Sequence, residues 1–290
     1  MGHGTISFER LFDAEETGRD SFRYFGPKTR WPRVYGGVVI SQALAATLRT
    51  VNSEHSAHSL HAYFILPGDP STPIDFKVDR LRDGKSFSTR YCRALQNEQT
   101  IFTVTASFHA QESGLEHSVA MPDVPPPESL SSFVVLQNQF QAMRPRPIFE
   151  YFADESPLEF RPIDPGRYFP IGDLQERPAA QTFWFRANKR LPGDISVHQC
   201  VLAYASDMTL LDCTVVSHGF SVTDGTLQPA SLDHALWFHR AFRADEWLLY
   251  AQESPNAGQG RGLAFGHIFN RDGTLVASVA QEGLIRVRRK

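Results

Sequence analysis

A carboxylate stands inside an apolar stretch. Residues 204–213 read YASDMTLLDC, with VHQCVLA before them and TVV after. The spacing predicts a buried or half-buried helix with Asp207 in its middle. An ionised carboxylate withdrawn from water is costly unless it is paired or hydrogen-bonded, so Asp207 is either a satisfied structural group or a working acid. A second polar group is placed in the same way. In LVASVAQEG, period two puts Leu275, Ala277, Val279 and Gln281 on one strand face, which leaves an amide on an apolar surface. A buried amide needs partners, and Asp207 and the hydroxyl of Ser231, in ASLDHALWFH, could supply them. A carboxylate that holds a water can act as its general base, and a hydroxyl and an amide can orient that water.

Other chemical signals fail on spacing. AGQGRGLAFG places Gly258, Gly260 and Gly262 before a strand pattern, whereas a dinucleotide site needs a helix there and a different spacing. There is no G-x-S-x-G elbow. His234 and His239, five residues apart on a predicted strand, point to opposite faces, and Asp233 diverges from its neighbour His234. Cys92, Cys200 and Cys213 have no metal or redox spacing and suit a reducing, intracellular compartment. No metal is expected.

The elements that would position these groups come in two similar sets. In the first half, YGGVVISQALAATLRTV reads as a buried helix, followed by strands SLHAYFIL, PIDFKVDRL, SFSTRYCRAL and TIFTVTASFHA, with turns at RDGKS and QNEQT. In the second, strand FWFRAN precedes the Asp207 helix, and strands SLDHALWFHR, EWLLYAQES, RGLAFGHIFN and TLVASVAQEGLI follow, with a hairpin turn at NRDGT. Thr100–Phe108 and Thr274–Glu282 match at a fixed offset, which sets Ser107 in the place of Gln281, and Ser59 matches Ser231 roughly. This is an α+β pattern of two curled sheets, each around one helix. The first helix has no acid, so one active centre per chain is expected. More than half of the 19 prolines fall in segments such as MPDVPPPESL, RPRP and RPIDPGRYFP. The expected organisation is residues 1–112 as a first module, 113–180 as a proline-rich connection with one short helix within 128–143, and 181–290 as a second module carrying the site.

Composition narrows the class. The chain has 290 residues, is 41% hydrophobic and 21% charged, and carries a formal charge of -3, an ordinary globular composition with no nucleic-acid surface. No apolar run approaches the length of a membrane span, and no N-terminal signal segment is expected.

HSLHAYFILPGDPSTPIDFKV, LRDGKSFSTR and ASLDHALWFHR, followed by EWLLY and DGTLVASVAQEGLIR, resemble the type II acyl-CoA thioesterases. These are bacterial thioesterase II and the peroxisomal long-chain enzymes of animals and fungi. The resemblance covers roughly residues 8–112 and 181–287, with several motifs in the right order. It implies a double hotdog fold, acyl-CoA as substrate, no metal or redox cofactor, and a homodimer or larger homo-oligomer. It also implies that Asp207, Ser231 and Gln281 together hold a water. Serine stands where many members have threonine, and Val38 where many have glutamine after the double glycine. The oxyanion donor is expected among backbone N–H groups around Ser206 to Met208. The expected location is cytoplasmic or peroxisomal, and no terminal Ser-Lys-Leu address is expected. Alternatives are a hydratase, whose pattern wants a histidine five residues after the acid where Asp212 stands, a thioesterase releasing a biosynthetic or carrier-bound product, and a non-catalytic acyl-CoA-binding module.

Overall fold

The computed structural model describes residues 6–27, 33–140, 156–168, 177–220 and 225–288. The RPRP stretch lies outside them. Thirteen strands form one antiparallel sheet. They are β1 (Ala14–Gly18), β2 (Ser21–Tyr24), β3 (His55–Phe64), β4 (Ile74–Asp83), β5 (Phe87–Gln96), β6 (Gln99–Ala110), β7 (Leu158–Pro162), β8 (Ala180–Ala187), β9 (Leu227–Ser231), β10 (Asp233–Phe238), β11 (Leu248–Gly258), β12 (Arg261–Asn270) and β13 (Leu275–Val287). Their order is β1-β2-β4-β5-β6-β3-β10-β13-β12-β11-β8-β7, with β9 continuing the line of β10 along β13. Counted inward from either edge, the same six-strand motif occurs twice. The two copies join edge to edge where β3 pairs antiparallel with β10, Leu60 opposite Leu236. This is a double hotdog, and the joint leaves no free edge at the centre of the molecule.

Each copy wraps one helix, α2 (Gly36–Leu48) and α4 (Ile195–Ser206), and the two helices pack against each other. Their sequences explain the placement. GGVVISQALAATL and ISVHQCVLAYAS are apolar or small nearly all round, and a helix of that kind belongs inside a core. The polar residues on them turn inward to backbone oxygens: Gln42 Nε2 donates to Leu11 O at 3.1 Å and Gln199 Nε2 to Ala57 O at 2.7 Å. Asp194 caps the start of α4, accepting from the Ser196 N–H at 3.0 Å.

Four expectations change. First, further edge strands appear: β1 and β2 before the first helix, and β7 beside the expected β8 in the second module. β7 falls inside the stretch expected to be a connection, 113–180, because LEFRP alternates inward and outward and its proline closes the strand. The same stretch also holds α3 (Phe133–Phe140), within the expected 128–143. Its earlier part lies on the outer face of the second module: the Trp184 indole N–H donates to Pro125 O at 2.9 Å and Arg161 to Pro127 O at 2.7 Å. Second, α4 ends at Ser206, so Asp207 is its C-cap and not a mid-helix residue.

Third, the strand SLDHALWFHR is broken at Leu232, and Ser231 is the last residue of β9. Fourth, the repeat is one residue longer after the last hairpin. The matched bulges at Ala94/Leu95 and Ile268/Phe269 are 174 apart, but Thr100 and Leu275, which face Leu95 and Phe269, are 175 apart. A slip of one residue exchanges the faces of a strand. Ser107 therefore lies on the outer face, bonded to His58 at 2.8 Å, and fully buried Ala106 takes the place of Gln281. By the bulge at Ala57/Ser59 and the break at Leu232, Ala57 takes the place of Ser231.

Candidate active site

The end of α4 delivers Asp207 to a point where three other elements converge. Oδ1 accepts from Gln281 Nε2 on β13 at 2.6 Å and from the Ser231 hydroxyl at the end of β9 at 3.3 Å. The structure thus brings together all three residues singled out in the sequence. The break between β9 and β10 matters here, because it lets Ser231 turn toward the helix while Gly283 faces it on β13. Gln281 is 1% exposed, and its Oε1 finds no donor among the described residues.

The fourth contributor is the start of α2, from the other module. A Cβ on Gly36 would lie 2.6 Å from Asp207 Oδ2 and 2.9 Å from the Phe64 ring, and one on Gly37 would lie 2.3 Å from Tyr204 O. The sequence reading assigned these glycines to helix–sheet packing. The structure shows a tighter reason, the close approach of one helix start to the end of the other and to the carboxylate. Val38, beside them, is buried and lines an apolar pocket with Ile6, Pro27, Val34, Tyr35 and Pro70.

Electrostatics at this point oppose one another. Burial pushes the Asp207 carboxyl up to about 6, and the hydrogen bonds from Gln281 and Ser231, with the Gly37 amide, hold it from rising further. The C-terminal end of α4 carries a partial negative charge and the N-terminal end of α2 a partial positive one, so the carboxylate sits between helix ends of opposite sign. A group titrating near neutrality suits proton transfer in water. The N–H groups of Asp207 and Met208, expected as oxyanion donors, both turn back to Ala205 O. They are engaged, and the remaining helix end at the carboxylate is that of α2.

Histidines do not join the site as ligands. His234 points inward, Nε2 at 2.8 Å from Ser206 Oγ, and burial lowers it to about 3, so it is neutral. His239 faces outward onto Ser278. Gly258 and Gly260 belong to the β11–β12 hairpin and its turn, and Gly262 to β12. Among the described residues no cluster of three metal-ligating side chains occurs, and no helix is long and apolar enough to cross a membrane. In the first module, Arg49 caps α2 where Asp207 caps α4. The fully buried Arg90, opposite Ala106, fills the remaining space by donating to Thr50 O, Thr50 Oγ1, Arg82 O, Thr89 O and Asp83.

Comparison with known proteins identifies the family. A family profile described as Acyl-CoA thioesterase matches residues 154–284, and one described as Acyl-CoA thioesterase N-terminal domain matches 27–109. The chain is 39% identical to human acyl-coenzyme A thioesterase 8, over 96% of this chain and 88% of that one. It is 41% identical to acyl-CoA thioesterase 2 of Haemophilus influenzae, over 88% of each. Among solved structures, acyl-CoA thioesterase II TesB2 of Mycobacterium marinum superposes with a TM-score of 0.79 at 40% identity, covering 97% of this chain and 99% of that one. With two such relatives spanning nearly its whole length, this chain belongs to the acyl-CoA thioesterase family.

Proposed function

We propose that this protein hydrolyses acyl-CoA thioesters to a free acid and coenzyme A, and that Asp207, Ser231 and Gln281 hold the attacking water. The observation that carries the reading is the meeting of one raised carboxyl with a hydroxyl and an amide from two other elements. The Asp207 carboxylate, beside the bonds it already accepts, and the Oε1 of Gln281 are two acceptors for the two hydrogens of one water, which turns its lone pair toward the thioester carbon. Asp207 takes one proton as the C–O bond forms. The N-terminal end of α2 stabilises the charge that develops on the carbonyl oxygen. As the C–S bond breaks, the proton held by Asp207 passes to the coenzyme A sulfur, so water and thioester give acid and thiol with no other reactant. A thiol of pKa ~8.5 leaves readily, and fixing the water accounts for much of the acceleration. The first module, with alanine at both polar positions, shapes the pocket and supplies the start of α2. No metal or redox cofactor is required by this route.

The chain is expected to self-associate, since Tyr63, Ile65 and Leu66 are large apolar side chains left exposed near the joint of the modules, and sedimentation would measure the assembly. The activity is tested by following coenzyme A release with a thiol reagent across short, medium and long acyl-CoAs and carrier-bound thioesters. Saturable release from acyl-CoA supports the reading. Tight acyl-CoA binding with no release would replace the enzyme with a binder.

A further inference from the structure

The residue after next from Asp207 has a backbone conformation that a branched side chain avoids. Thr209 has φ 61° and ψ -1°, in the left-handed region. For a β-branched residue this is strained, and strain of this kind persists only where the surroundings over-determine it. Here they do. Gln252 Nε2 donates to Met208 O at 3.1 Å, and Gln252 Oε1 accepts from Thr209 Oγ1 at 3.2 Å and from Gln181 Nε2. Gln181 Nε2 also donates to Thr209 O at 2.6 Å, and Gln181 Oε1 accepts from the Tyr168 hydroxyl at 3.0 Å. One step back, the Tyr250 hydroxyl donates to Ser206 O at 2.8 Å.

The carbonyls before Asp207 and after it are thus each gripped by a side chain from the sheet. Register explains how. Tyr250 and Gln252 lie two apart on β11 and share its inner face, and Gln181 is directly opposite Gln252 on β8. Opposite Gln252 on the other side is Gly266, where a Cβ would fall 2.3 Å from the Tyr250 ring. A glycine there makes room for the tyrosine to reach the helix end. Gln181 and Gln252 are 6% and 2% exposed. Two buried amides facing one turn are costly unless satisfied, and the partners they find are the carbonyls and hydroxyl of that turn.

We infer that Gln252 is a positioning residue for the reaction: with Gln181 it clamps the strained Met208–Thr209 turn and so fixes the direction of the Asp207 carboxyl toward Gln281 and Ser231. The inference rests on Asp207 acting as the base. The clamp amides are buried and their bonds go to the turn, so its loss is expected to fall on turnover and not on binding. A misplacement of about 1 Å can cost about 100-fold in rate.

The experiment compares Gln252→Leu, Thr209→Gly and Thr209→Asn with the wild type and with Asp207→Asn, measuring kcat and KM on one acyl-CoA and the thermal midpoint of each. Gln252→Leu is expected to lower kcat about 10- to 100-fold with KM changed by less than about two-fold. Thr209→Gly relieves the strain while freeing the turn, so its midpoint should be no lower than wild type although kcat falls about 10-fold. Thr209→Asn, which tolerates the left-handed region and keeps a side-chain donor, should recover kcat relative to Thr209→Gly. A side chain that only supports folding would lower midpoints and leave kcat per folded molecule intact. Should Gln252→Leu not fold, the Thr209 pair still decides. Wild-type kcat in Thr209→Gly, with Asp207→Asn inactive, overturns this inference alone. Undiminished turnover in Asp207→Asn overturns the reading beneath it.

Discussion

Asp207 is held by forces that oppose each other, and its titration follows from them. Its carboxyl rises to about 6 because burial outweighs the bonds from Gln281 and Ser231. As the proposed base it must be ionised, so kcat/KM should climb as pH passes through about 6 and level above it, which a pH–rate profile at limiting substrate would measure. The stability effect has the opposite sense. The folded chain binds this proton more tightly than the unfolded chain, so the carboxyl costs stability as pH rises from the ordinary aspartate range through about 6. Asp207→Asn should therefore raise the thermal midpoint at pH 8 and leave it nearly unchanged at pH 4. On the proposed mechanism Ser231 and Gln281 hold the same water, so their single losses should not add: Ser231→Ala with Gln281→Ala should cost less than the product of the two single-variant falls in kcat. Asp207 and Gln281 were legible because each is a polar group at a position that periodicity makes apolar, whereas Ser231 was picked out by the family resemblance. What periodicity hides is the role of a residue with no side chain. Gly36 and Gly37 read as packing residues until the second helix end appears against them.

At the scale of elements, the two helix ends and the hairpin lengths decide where chemistry is possible. Gly36→Ala would drive a methyl group into Asp207 Oδ2 and Phe64. It should cost about 1–3 kcal/mol by overpacking and abolish most turnover, read by denaturant titration and kcat together. Arg90 in the first module offers the contrast. All its donors are satisfied and its side chain is fully buried, so Arg90→Ala, which strips Thr50 O, Arg82 O and Thr89 O of their donor, should lower stability by about 1–3 kcal/mol while kcat per folded molecule stays near wild type. The inner strands of both modules were legible from alternation, and apart from the break at Leu232 their boundaries hold to within a few residues. The counterpart of Gln281 was not. Five residues, NRDGT, separate Phe269 from Leu275 where four, QNEQ, separate Leu95 from Thr100, and the extra residue moves every later position to the other face. The true counterpart, Ala106, gave no polar signal to find. The end of α4 was also obscured, since apolar spacing continues through Met208 and Leu210 although the backbone leaves the helix.

For the whole molecule, the joint of β3 with β10 makes two repeats into one folding unit, and it also brings the start of α2 to the acid of the other module. The seam is fully buried at Leu60 and Leu236. Leu236→Ala should cost about 2–5 kcal/mol, and thermal unfolding should remain a single transition, because neither half keeps its edge covered alone. The edge strands β1, β2 and β7 were not legible as such: short, half-exposed edges carry little alternation, and prolines mask β7. That stretch is tied to the second module by Arg161, which bonds Glu159 and lies over the Trp247 ring 4.9 Å away, with Arg186 on the same ring at 4.4 Å. Division into two modules was visible from the sequence; the sharing of one site between them was not, because it depends on which helix ends meet.

The central claim is that one carboxyl, on Asp207, activates the water that cleaves the thioester. Its most direct measurement is kcat of Asp207→Asn on an acyl-CoA that the wild type hydrolyses, with folding checked by circular dichroism and binding of the same acyl-CoA by calorimetry. The account predicts retained fold, retained binding and a fall in kcat of at least about 1,000-fold. Turnover within about ten-fold of wild type, in a variant that folds and binds normally, would contradict it.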